Sequence, residues 1–197
     1  MHDDEKVVIG VAGAICSGKT VVSKIFRQLG AHYISADKIG WHVLPDIADE
    51  LKERFGEHMM NGATIDRKKL RDIVFANNDN VAFLNQLSHP RLVKKLIDAV
   101  TQMDAGIIVV DAALLFEWPR VLDVVDYPIL VVAHEQLQKE RAVRQGMDEK
   151  TFQRILRAQK YRALMKKKAA YIIENNGTLD ELREKCQEIY REIQRDC

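Results

Sequence analysis

The chain has 197 residues, of which 47% are hydrophobic and 30% charged, with a formal net charge of +1 at pH 7. This length and balance suit one soluble domain with a sizeable core, with room for an insert. No apolar run approaches a membrane span, the acidic Met1–Lys6 start is unlike a signal peptide, and Cys16, Cys186 and Cys197 have neither an even count nor metal-ligand spacing. The expectation is a cytoplasmic protein with no membrane partner.

In chain order, the first apolar run (7–12) reads as a buried strand and leads into Gly13-Ala14-Ile15-Cys16-Ser17-Gly18-Lys19-Thr20. These eight residues match the phosphate-binding pattern G-x-x-x-x-G-K-[ST] at every fixed position. Val21–Leu29 follows with apolar residues at helical spacing, so strand, loop and helix occur in the order that the pattern requires. Glycines at 13 and 18 let successive N–H groups converge on one anion, and the helix dipole adds positive potential there. The loop from Gly13 to Val21 is therefore expected to bind a nucleoside triphosphate. Lys19 would reach the outer phosphates and the Thr20 hydroxyl would coordinate Mg²⁺.

Further short β-branched runs lie at 31–35, 106–111, 127–133 and 171–174. With helical patterns between most of them, they predict a five-stranded parallel sheet in an α/β/α sandwich. Residues 45–103 show only helical patterns and read as about four short helices, punctuated at Pro45, Asn61-Gly62, Asn77-Asn78 and His89-Pro90. The expected organisation is a nucleotide-binding core of 1–44 and 104–197 interrupted by a helical insert of 45–103. Residues 134–168 carry five arginines and six lysines against four acids, a local balance of +7. The segment reads as a solvated face or a lid over phosphates, and it lacks the interleaved aromatics of a nucleic-acid patch. Thr178 and Glu181 form a capping box for a final helix with Leu182, Cys186, Ile189 and Ile193 on one face.

Chain geometry adds a second functional position. The first helix carries the chain roughly 18 Å away from the loop at 1.5 Å per residue. The second strand returns it roughly 20 Å at 3.3 Å per residue, so Asp37 should emerge at the same sheet edge as Lys19. A carboxylate there can take a proton from an attacking hydroxyl or hold a metal through water, or it can simply cap the next helix. Asp111 ends the third strand at that edge and is a candidate metal contact. Arg141 and Arg144 follow the fourth strand, where guanidinium groups can neutralise charge in phosphoryl transfer. Cys16 sits at the helix end, whose electrostatics can lower a thiol pKa.

These residues resemble the dephospho-coenzyme A kinase family through nearly the whole chain. GAICSGKT is similar to that family's GGIGSGKS/T loop, and Ile34–Asp37 to its I-D-A-D segment. Ile65–Phe75 resembles its LDRRALRERVF stretch, Leu87–Pro90 its L-x-H-P turn, and Asp111–Glu117 its D-x-P-L-L-F-E. Gln138 to Gly146 is similar to its Q-x-x-R…R-D-G helix. Gln159 with Arg162 resembles its Q-x-x-R, and Ile173–Gly177 its V-I-x-N-x-G close. The resemblance implies transfer of the γ-phosphoryl group of Mg-ATP to the ribose 3′-hydroxyl of dephospho-coenzyme A, with 45–103 as a helical substrate-binding insert and a mobile lid; a monomer is expected. It further implies Lys19, Asp37 and Arg141 as catalytic residues. Arg144 and Asn175 would join the loop in binding ATP, and His89, Leu114, Leu115 and Arg162 would contact the acceptor.

The chain also departs from the family pattern. Ala14 and Cys16 replace glycines, Ser35 replaces the first aspartate of I-D-A-D, Ala113 a proline and Ala170 an aspartate. The lid helix is one residue shorter between its arginines, which rotates one by about 100° relative to the other and leaves the choice between Arg141 and Arg144 open. His89 can equally cap a helix starting at Pro90. A kinase of another small nucleotide or hydroxyl metabolite, or a catalytically silent nucleotide-binding module, are the alternatives.

Overall fold

The structure, a computed structural model, describes residues 6–159 and 162–196, excepting the side chains at 158 and 162–164. From the N-terminus, β1 (Lys6–Gly13) is followed by α1 (Lys19–Gln28), β2 (His32–Ser35) and α2 (Ala36–Val43). Then come α3 (Ala48–Phe55), a hairpin of β3 (Met60–Asn61) and β4 (Thr64–Ile65), α4 (Arg67–Val74) and α5 (Asn78–Thr101). The chain continues through β5 (Gly106–Asp111), α6 (Pro119–Leu122), β6 (Tyr127–Val132) and α7 (Glu135–Arg144). It ends with α8 (Glu149–Ala158), α9 (Arg162–Lys168), β7 (Tyr171–Glu174) and α10 (Leu179–Asp196).

Five strands form one parallel sheet in the order β2-β5-β1-β6-β7, as the β-branched runs predict. The central strand β1 is buried along almost its whole length because both faces are covered. Alternation along β1 sends Val7, Ile9 and Val11 into a core completed by Val22, Ile25 and Phe26 of α1 and Leu182, Cys186 and Ile193 of α10. Phe26 stacks on Tyr190 with ring centroids 6.0 Å apart. On the opposite face Gly10 is a close-approach point: a Cβ there would lie 2.6 Å from Leu115 Cδ2 and 2.9 Å from Val125 Cγ1. The result is a three-layer α/β architecture.

The chain divides into two compact units, one of residues up to Ala36 together with Ile97 onward, the other Asp37–Leu96. The second unit has its own core of Leu44, Ile47, Leu51, Phe55, Met59, Leu70 and Val74. Two expectations for this stretch are corrected. Asn61-Gly62 lies between α3 and α4, but the stretch is not helical throughout: the turn closes the β3–β4 hairpin, with Met60 paired to Ile65 and Asn61 to Thr64. His89-Pro90 does not break a helix either, since α5 runs for 24 residues with Pro90 inside it. The missing N–H at 90 is tolerated because Leu92, Val93 and Leu96 remain buried beyond it, while the Ser88 hydroxyl donates back to Leu84 O at 2.7 Å. Asn77 supplies the start signal, its Oδ1 accepting from Asn80 N at 2.8 Å.

The capping box of α10 forms as read: Thr178 N donates to Glu181 Oε2 at 2.9 Å, and Glu181 N to Thr178 Oγ1 at 3.2 Å. Among the described residues, no helix is long and apolar enough to cross a membrane.

Candidate active site

The Gly13–Thr20 loop leaves the C-terminal end of β1, between neighbours β5 and β6, where successive connections diverge to opposite sides of the sheet. In open α/β sheets this divergence opens the ligand crevice. Gly18 is the N-cap of α1 with φ 100° and ψ 11°, a left-handed conformation that glycine adopts without strain. A Cβ at 18 would also collide with Asn175 Nδ2. Gly18→Ala is therefore expected to lower the melting temperature and weaken MgATP binding more than tenfold, through left-handed strain of roughly 1–2 kcal/mol plus loss of the Asn175 brace. Thermal melts and MgATP titration measure both, and wild-type values in both would contradict this reading of the loop.

Cys16 is the one positive-φ residue other than glycine among those described, at φ 55°. A non-glycine residue at this φ carries backbone strain, and the surroundings offset it. Ala14, Ile15 and Cys16 pack against Ala142 of α7 and Phe152 and Leu156 of α8. Burial pushes the Cys16 thiol up against the opposing pull of Arg141. This corrects the expectation of a thiol lowered by the helix end: desolvation wins. Cys186 is fully buried and pushed up to about 12.

Polar side chains hold the outward-facing groups of the loop. Arg141 Nη1 donates to Cys16 O at 3.3 Å and Ser17 O at 3.4 Å, and its Nη2 donates to Asn175 O at 3.0 Å. Asn175 Nδ2 donates to Ser17 O at 2.8 Å. Gln138 Nε2 donates to Ile15 O at 2.9 Å, and Ile15 N donates to Gln159 Oε1 at 2.7 Å. Arg141 thus faces the loop, whereas Arg144, one turn further along α7, is exposed. Asn175, expected near the adenine, is buried with its amide nitrogen committed to the loop.

Lys19 and Asp111 meet at the strand ends. Lys19 Nζ lies 3.1 Å from Asp111 Oδ1 and 3.4 Å from Thr20 Oγ1, and the Tyr33 hydroxyl donates to Asp111 Oδ2 at 3.0 Å. Asp111 is 3% exposed, so this carboxylate is held by a cation and a phenol rather than by water. Sheet register aligns Asp111 with both Val11 of β1 and Ser35 of β2. Asp37 follows Ser35 by two residues, exposed in the first turn of α2, which begins at Ala36 rather than at Lys38. Asp37 is consequently not the cap of that helix.

The remaining expected contacts lie on different elements. Leu115 is fully buried and packs close to Gly10, and Leu114 beside it is half-buried. His89 lies within α5 rather than at a helix start, and burial pushes its imidazole pKa down. Arg162 opens α9, but its side chain is outside the described residues. A small cavity beside Gly13 and Ala14 is lined also by Ala113, Glu117, Gln138 and Gln159. Tyr33, Gln138 and Gln159 were not assigned roles from sequence. The spacing of Gln138 three residues before Arg141, on one helix face, was the available signal.

The dephospho-CoA kinase family model matches residues 7–181. A dephospho-CoA kinase of Aquifex aeolicus is 32% identical over 194 residues, covering 95% of this chain and 98% of the relative. Among solved structures, a Thermus thermophilus protein, TT1252, aligns with a TM-score of 0.76 at 25% identity, covering 95% of this chain and 98% of its own. A dephospho-CoA kinase from Campylobacter jejuni aligns with a TM-score of 0.66 at 26% identity, covering 95% and 97%. The chain described here belongs to the dephospho-CoA kinase family.

Proposed function

We infer that this protein transfers the γ-phosphoryl group of ATP to the ribose 3′-hydroxyl of dephospho-CoA. The observation that carries the reading is the convergence of the phosphate loop, Lys19 and the Tyr33-supported Asp111 at the strand ends of a chain belonging to this family. Phosphoryl transfer asks a protein mainly for positioning and charge stabilisation, and this chain's residues divide that work. Loop N–H groups and Lys19 hold the phosphates. Asp37 accepts the proton of the attacking hydroxyl. Arg141 keeps the loop carbonyls turned outward and contributes positive charge close to the phosphates. Arg144 and Asn175 complete the ATP side, with Asn175 acting through the loop. His89, Leu114 and Arg162 belong to the acceptor side. The stretch 45–103 serves as the acceptor-binding insert and 134–168 as the lid.

Mg²⁺ fits this donor set. Among the described residues there is no cluster of three or more His, Cys, Asp or Glu able to hold a metal alone. Mg²⁺ does not need one, because it keeps several waters and binds through one or two protein oxygens plus phosphates. Thr20 Oγ1 and Asp111 are those oxygens, and the ion would neutralise phosphate charge. A cytoplasmic monomer is the expected setting.

The test is acceptor-dependent ADP release from MgATP, with dephospho-CoA, AMP and pantothenate supplied in turn. Turnover on dephospho-CoA alone is the expected result. Turnover on another acceptor would make the protein a different small-molecule kinase, and ATP binding without any turnover would make it a silent nucleotide-binding module.

A further inference from the structure

We propose that Gln138 and Gln159 are positioning residues that clamp the Ile15 peptide units and thereby set the phosphate-binding conformation of the loop. Both polar groups of Ile15 are taken, and by different helices. Gln138 of α7 donates to its carbonyl at 2.9 Å, and Gln159, the C-cap of α8, accepts from its N–H at 2.7 Å. Fixing the N–H and the C=O of one residue fixes the planes of the two peptide units on either side of it. The plane that carries the Ile15 carbonyl also carries the Cys16 N–H, so the clamp decides whether that amide faces a phosphate, while the Ser17 N–H is committed to Ala14 O at 3.0 Å.

A second observation shows that Gln138 is not simply packing. The residue is fully buried, yet its Oε1 has no hydrogen-bond partner among the described residues. Burying an unpaired carbonyl costs free energy that an apolar side chain of similar size would not incur. The fold tolerates this to deliver Nε2 to Ile15. The clamp also accounts for how this loop operates with Ala14 and Cys16 in place of two glycines. Cys16 must hold φ 55°, a region that non-glycine residues leave readily when unconstrained. Apolar contacts of Ala14, Ile15 and Cys16 with Ala142, Phe152 and Leu156 press the loop onto α7 and α8. The two amides then set its orientation on that surface.

The proposal rests on the loop being the triphosphate site, but not on the identity of the acceptor. The test therefore measures MgATP binding without acceptor, by calorimetry, for Gln159→Met, Gln138→Met and the double variant of the full chain, alongside melting temperature and acceptor KM. Gln159 is partly exposed, so Gln159→Met keeps the test open even where Gln138→Met fails to fold. For each single variant the expected result is a rise of about five- to tenfold in the MgATP dissociation constant, the size of a lost hydrogen bond. Acceptor KM should stay within twofold of wild type, and amide exchange at Ile15 should accelerate in Gln159→Met. The double variant should lose less than the product of the single effects, because both side chains act on one residue. Wild-type MgATP affinity in Gln159→Met, or equal weakening of ATP and acceptor, would overturn the proposal. Failure of wild-type protein to phosphorylate dephospho-CoA while these binding effects persist would refute the acceptor assignment and leave the clamp standing.

Discussion

Lys19→Met is expected to lower kcat by about 10²- to 10³-fold and to weaken MgATP binding as well. The ammonium is the one charge the loop itself supplies, and preorganised electrostatic groups of this kind are worth that much in the transition state. The substitution has a structural consequence too. Lys19 is 15% exposed and lies 3.1 Å from Asp111, so its removal leaves a buried carboxylate that keeps the Tyr33 hydroxyl but loses its cation. Removing one partner of a buried pair costs about 3–5 kcal/mol, and partial exposure of Lys19 puts this case near the lower end. Activity loss through misfolding must therefore be separated from activity loss through chemistry. Lys19→Met with Asp111→Asn removes the uncompensated charge, so the melting temperature should recover most of the way. Turnover should not recover. Steady-state kinetics and thermal melts on these two variants and on Asp111→Asn alone, which reports the loss of the proposed Mg²⁺ ligand by itself, decide it: a double variant regaining both would make Lys19 a structural residue, and unchanged kinetics in Lys19→Met would refute the loop assignment.

The parts of the fold most legible in sequence are those where one local rule acts alone. The five strands are continuous β-branched runs because both faces of a parallel sheet are buried, and nothing competes with that signal. The capping box at Thr178 is likewise local, two residues satisfying each other's backbone. In the 45–103 stretch tertiary packing overrides local punctuation. Pro90 is a helix breaker by local chemistry, but buried Leu92, Val93 and Leu96 carry α5 through it. Asn61-Gly62 is a genuine turn, yet turn chemistry alone does not say whether the flanking residues pair as strands.

The same division runs through the site. The phosphate loop is visible because its chemistry needs fixed residue types at fixed spacing. The Lys19–Asp111 pair is less so: each residue was a candidate separately, and only the parallel register of β1 with β5 shows that they face one another. Tyr33 carries no motif at all, and its place beside Asp111 comes from the pairing of β2 with β5. Helix geometry in isolation does not distinguish Arg141 from Arg144; the surface that α7 packs against does, since Arg141 bonds to the loop carbonyls of Cys16 and Ser17 while Arg144 is exposed.

Asp37→Asn is expected to reduce kcat by about 10²- to 10⁴-fold, the usual contribution of a general base, while MgATP affinity stays within twofold. Asparagine keeps the shape and the hydrogen-bonding carbonyl but cannot accept the hydroxyl proton. Asp37 is exposed in the first turn of α2, where loss of a negative charge costs only about 0.3–1 kcal/mol of helix-dipole interaction, so the melting temperature should barely move. Stability and catalysis therefore separate cleanly at this position, as they do not at Lys19. Two competing roles make different predictions. If Asp37 held the metal through water, the variant would need more Mg²⁺ for half-maximal rate and excess Mg²⁺ would restore turnover. If it only positioned the acceptor, KM for dephospho-CoA would rise with kcat nearly unchanged. A general base predicts neither: low turnover at saturating Mg²⁺ and saturating acceptor, with partial activity in Asp37→Glu, where the carboxylate survives one methylene out of place.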